Sequence, residues 1–124
     1  MANPNLNSAT TVQANNSLVN LSTTSATLVV SNAASSGKIY LIDSIIVSNV
    51  DGTNNADVTL ELFPADDNTG TAAAIAKTVV VPADASLMVV SKEMGLCIKE
   101  DQSIYATASA ASDLDIVACW KEIS

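Results

Sequence analysis

From Thr24 onward the chain is a series of short apolar runs cut by turn residues. Residues 26–31 (ATLVVS) lead into a polar turn over 32–37, and residues 38–49 (KIYLIDSIIVSN) form the longest run, dense in β-branched side chains. Asp51-Gly52 is the strongest turn dipeptide of the chain. Residues 56–63 (ADVTLELF) alternate cleanly, with Val58, Leu60 and Leu62 on one face and Thr59, Glu61 and Phe63 on the other. Residues 72–81 carry two signals: the alanines favour helix, but Thr78-Val79-Val80-Val81 favours strand, and the second half reads as strand. Residues 86–90 and 103–109 are further strands, 96–98 is a short connecting piece, and 113–120 places Leu114, Ile116, Ala118 and Trp120 on one face. Seven or eight short strands at regular spacing, with no helix periodic enough to compete, predict an all-β antiparallel β-sandwich of jelly-roll or immunoglobulin-like type. The sandwich should span residues 25–124, preceded by an extended polar arm over 1–24.

Alternation assigns Leu28, Val30, Leu41, Ile45, Val47, Val58, Leu60, Ile104 and Ile116, among others, to the interior. It also leaves a surplus. In Ile45-Ile46-Val47 the middle residue must point away from its neighbours. Tyr40 and Ile42 join Ile46 on that face if no bulge intervenes, and Phe63 extends the patch from the next strand. Either a bulge or a covering arm buries these residues, or they form a subunit interface. The arm carries no charged residue, and Leu18, Val19 and Leu21 are its apolar anchors, with 17–22 a possible short strand. Such a segment orders only against another surface. The candidate interface set is therefore Leu18, Val19, Leu21, Tyr40, Ile42, Ile46 and Phe63.

Composition narrows the function. The chain has 124 residues, no His and no Arg, and aromatics make up 3%, so the core must be aliphatic. Without His there is no Ser-His-Asp or Cys-His nucleophile and no His-ligated metal; without Arg there is no bidentate phosphate clamp. A net charge of −8 disfavours nucleic acid and anionic membranes as partners. The start of the chain lacks the basic and apolar regions of a secretory signal, and no apolar stretch is long enough to span a bilayer. Cys97 and Cys119 lack metal-ligand spacing and read as small buried thiols, with a disulfide between them as the alternative. Asp51, Thr53, Asn55 and Asp57 place oxygens at alternate positions, as a calcium loop does, but no Glu closes the set and a polar hairpin loop fits better. Tyr105 and Trp120 are single aromatics in strands, a weak basis for a sugar-binding platform. These features point to a non-enzymatic protein without catalytic residues, metal or other cofactors.

The runs KIYLIDSIIVSN, DVTLELF, VPADASL, GLCIKEDQSIYATASA and LDIVACWKEI resemble a recurrent small β-sandwich domain of tailed-bacteriophage virions. The resemblance lies in turn and core patterns and covers about residues 24–123. It implies a structural protein located in the virion. The leading form is a capsid decoration (cement) protein that binds the major capsid protein and stabilises the head, through the sandwich and the arm. The alternative is a tail or fibre accessory or receptor-binding module. Other virion proteins and further copies of the chain, in a trimer for instance, are the implied partners. Ile46 departs from the pattern, standing where an exposed polar or basic residue is usual.

Overall fold

The computed structural model describes residues 5–124. Among these, nine strands form: β1 Val12–Asn20, β2 Thr27–Asn32, β3 Ile39–Asn49, β4 Ala56–Phe63, β5 Ala73–Val81, β6 Ser86–Val90, β7 Cys97–Ile98, β8 Gln102–Ala108 and β9 Leu114–Ile123. Two 3₁₀ turns, Leu6–Ser8 and Lys92–Met94, complete the elements. The first sheet has the order β1-β9-β3-β6, with β7 also on β3; the second has the order β2-β8-β4-β5. Every ladder is antiparallel. With β7 set aside, successive strands alternate between the sheets, except that β4 and β5 pair directly. This is a jelly-roll path, so the antiparallel sandwich expected from the pattern is the observed fold.

The interior is aliphatic. Val30, Ile45, Val47, Val58, Leu60, Ile104 and Ile116 are all buried, as alternation requires. Leu114, Ile98, Val90 and Leu21 fill out the same cluster. At one end Tyr40 stacks on Trp120 with ring centroids 5.8 Å apart. Burying each aliphatic side chain stabilises the fold by about 1.5–3 kcal/mol before the entropy of ordering is subtracted. The alanine-rich start of 72–81, which local propensity assigns to helix, is strand from Ala73 because Leu62, Glu61 and Leu60 of β4 pair with it. Tertiary pairing overrides a weak propensity there.

Two bulges change which residues face inward. The β3 register against β9 shifts between Ile42 and Ser44, so Asp43 is an extra residue and the inward phase passes from Ile42 to Ile45. Tyr40 and Ile42 are consequently core residues and do not share the face of Ile46, which corrects the uninterrupted alternation. In β2 the shift between Leu28 and Val30 turns Val29 and Val30 inward and leaves Leu28 exposed, against its assignment to the core. Leu41 likewise lies on the outer phase of β3, only half-buried.

Two buried asparagines join the sheets. Asn32 in β2 donates from Nδ2 to the Lys38 carbonyl at 2.9 Å and the Ile98 carbonyl at 3.1 Å, and its Oδ1 accepts from Ser36 at 2.6 Å. Asn49 in β3 donates to the Asn54 and Val81 carbonyls, both at 2.9 Å, and accepts from the Asp51 N–H at 2.9 Å. Each therefore reaches from its own sheet to a strand of the other. Replacing Asn49 by Ala strands these buried groups, at about 1–3 kcal/mol for each one left without a partner. Urea unfolding of Asn49→Ala should show a lower midpoint with an unchanged slope, and a midpoint equal to the native one would contradict this role.

Candidate functional site

The outer face of the first sheet is built in rows. Register places Asn20, Asp115, Ser48 and Ser86 side by side across β1, β9, β3 and β6. This row is polar and internally bonded: Asn20 donates to Asp115 at 2.6 Å, and Ser48 meets Ser86 at 2.9 Å. The next outward row is Leu18, Val117, Ile46 and Met88, apolar from edge to edge. Leu18 is 76% exposed, Met88 57% and Val117 38%, so the row lies open to solvent. Asn16, Cys119 and Ser44 follow, then Ala14, Lys121 and Leu41, then Val12, Ile123 and Ile39. A contiguous apolar band on a small soluble protein marks a contact surface more often than not.

Of the seven residues singled out in the sequence, the structure brings Leu18 and Ile46 together in this row. Leu21, Tyr40 and Ile42 are buried in the core, and Val19 packs against it from the inner side of β1. Phe63 lies on the other sheet, edge-on to Tyr105 with centroids 5.5 Å apart. Met88 and Val117 escape a sequence reading. Met88 faces outward by simple alternation with Leu87, but only its pairing with Ile46 across β3 and β6 places it in the row, and no single strand shows that pairing. Val117 is the outward residue of a strand whose inward face is the conspicuous one.

Two rows from the strip, at the β3 bulge, a cavity of about 290 Å³ is lined by Leu41, Ile42, Leu96, Gly95, Lys92 and an ion pair, Lys121 to Asp43 at 2.6 Å. Cys97 and Cys119 are free thiols, both half-buried on the outward phase of the first sheet. The loop after β3 spends its carboxylate locally: Asp51 accepts from the Thr53 N–H at 2.8 Å and from the Asn54 amide at 3.2 Å. Those bonds, the backbone one foremost, hold its carboxyl below the usual range. Trp120 is buried against Tyr40, while Tyr105 stays on the outer side of the second sheet.

No family model matches the chain, and no curated protein matches it. Among solved structures it is similar to a chain of the Bacillus endospore appendages, described as a family of disulfide-linked pili. The TM-score is 0.55 at 18% identity, with 100% of this chain and 94% of that one covered. At that identity the likeness is one of fold.

One charged cluster ties β1 down. Glu122 accepts from Asn15 of β1 at 2.8 Å, from Lys38 at 3.1 Å and from the Trp120 indole at 3.2 Å. Partial burial pushes its carboxyl up, but these three bonds and the Lys38 charge outweigh that and hold it below the usual carboxylate range. A group whose folded pKa is depressed contributes stability above its unfolded pKa and loses it as the pH falls through the folded value. Native protein should therefore resist urea better than Glu122→Gln at neutral pH, and the gap should close as the pH falls through and below the ordinary carboxylate range. A gap that stays constant across that window would contradict the linkage.

Proposed function

We propose that this chain is a non-enzymatic structural subunit that acts by assembling with copies of itself into a particle or appendage outside the cell. The row of Leu18, Val117, Ile46 and Met88 carries this reading. It is an apolar strip flanked by polar rows, on a chain of net charge −8 whose exterior otherwise favours dispersal. The absence of His and Arg from the sequence fits a protein whose work is contact rather than turnover. The likeness in fold to a subunit of disulfide-linked pili supports the self-assembling form. In its finer form, the subunit decorates the capsid of a tailed-phage virion, binding the major capsid protein. That form is supported by the strand and turn sequences, with a tail or fibre module as its alternative.

The test uses the full chain at rising concentration, read by light scattering and negative-stain microscopy, alone and with capsids. Ile46→Asp and Met88→Lys should each lower the assembled mass at a concentration where the native chain assembles, leaving the circular dichroism of the subunit unchanged. Cys119, one row from the strip, should react with a maleimide in the free subunit and be shielded in assemblies. A native chain that stays solitary under all these conditions would overturn the proposal.

A further inference from the structure

Strand β1 is an edge, and it lacks the usual protections of one. Its ladder with β9 runs from Val12 to Asn20 without a register shift. Its nine residues, VQANNSLVN, include no charge and no proline. The other edges are blunted. β5 carries Lys77, two register shifts and Thr78 at φ 45°. β2 has six residues and a bulge, and β6 only five and a register shift. A flat, uncharged edge is a template for another strand.

The hydrogen-bond phase says which backbone groups are open. Thr11 and Ser124 exchange bonds in both directions at 3.0 Å, and the Leu21 N–H reaches the Leu114 carbonyl at 2.9 Å. Odd-numbered residues of β1 therefore bond to β9, and the N–H and C=O groups of Val12, Ala14, Asn16 and Leu18 point to the free side. The Asn16 N–H is at present met by its neighbour's side chain, Asn15 Oδ1, at 2.8 Å, and has to change partner.

We propose that the occupant of this edge is β1 of a second copy, antiparallel across a two-fold axis at Asn15. This deepens the self-assembly reading and rests on it. The register follows from the side chains. With Asn15 opposite Asn15 of the partner subunit, Val12 lies opposite Leu18 in both directions, and Ala14 opposite Asn16. Val12 is 62% exposed and, with Leu18, is a large apolar residue on the outward side of the strand. Shifting the centre by one residue to Asn16 or Ala14 sets Leu18 against Ala14 or Thr10. Residues facing each other across antiparallel strands stabilise the pair when both are apolar. The same register lets the open backbone groups, all on even-numbered residues, bond to one another. It also runs the row of Met88, Ile46, Val117 and Leu18 on into the exposed Val12 of the other copy, whose register neighbours Ile123 and Ile39 are already buried. Two chains of net charge −8 repel, and a charge-free seam is where that repulsion is least. A two-fold contact of this kind is self-complementary and closes at two copies, leaving the outer rows for further assembly.

The test takes the full chain. Ala14→Pro removes an N–H that faces the free side and no bond to β9, so the fold survives and pairing does not. Light scattering should show the two-copy mass of the native chain halved in Ala14→Pro. Independently, in a Cys97→Ser, Cys119→Ser background, Asn15→Cys should form a disulfide-linked pair with oxidised glutathione. Ser17→Cys alone should not, whereas Gln13→Cys mixed with Ser17→Cys should. Two-copy mass in Ala14→Pro, self-linking of Ser17→Cys without Asn15→Cys, or a native chain with no two-copy species would each overturn the pairing. If in addition Met88→Lys still abolishes assembly, the edge proposal fails while the structural-subunit reading stands.

Discussion

Strand β3 pairs with β9, β6 and β7, so the phase of its side chains decides which residues of the first sheet lie inside. One extra residue, Asp43, sets that phase. Before it, Tyr40 and Ile42 point to the core and Leu41 to solvent; after it, Ile45 and Val47 point in and Ile46 out. Without the bulge, one half of the strand would have its apolar set on the wrong side, since a one-residue slip exchanges the faces. Asp43 itself lines the cavity together with Leu41, Ile42 and Leu96, and its carboxylate pairs with Lys121. The division of β3 between core and outer rows is thus a consequence of a single inserted residue.

The two faces of the sandwich differ in what they offer. On the first sheet the outward acids are spoken for: Asp43 by Lys121 and Asp115 by Asn20. On the second, Asp57 and Glu61 stand among threonines and the Phe63–Tyr105 pair. Asp51, Asp66, Asp67, Asp84, Glu100, Asp101 and Asp113 sit in the connections between strands. Charge is therefore concentrated at the loops and the second sheet, and the first sheet keeps its apolar row clear. The buried ends of β2 and β3 are closed by Asn32 and Asn49, which meet backbone groups that a small aliphatic core could not satisfy.

The fold was legible because alternation is a local signal: Val58, Leu60, Ile104 and Ile116 each show their face within a few residues. The candidate surface was only half legible. Leu18 and Ile46 could be found, one as an apolar anchor in an uncharged segment and one as a surplus apolar residue. For Tyr40 and Ile42 the sequence leaves two faces open, with or without a bulge, and the bulge at Asp43 that decides it is visible only against the partner strand β9. Met88 and Val117 stay out of sight in the sequence because a row across four strands is a property of register and not of any one strand. The extent of β1 was hidden by composition. Polar, uncharged residues such as those of 13–17 carry no burial pattern, and it is the β9 ladder that makes them a strand.

A net charge of −8 works against any association of like chains, and it does so least where a surface is free of charge. At an ionic strength of about 0.1 M this repulsion reaches only about 10 Å, so a contact is judged by the charges within its own neighbourhood. The connections after β3, β4, β5, β6, β7 and β8 all carry acids, whereas β1 and the row of Leu18, Val117, Ile46 and Met88 carry none of their own. Like charge thereby acts as a filter on geometry. It leaves the subunit dispersed in most orientations, and the orientations it leaves open are those that match an uncharged edge and an apolar row to their own kind.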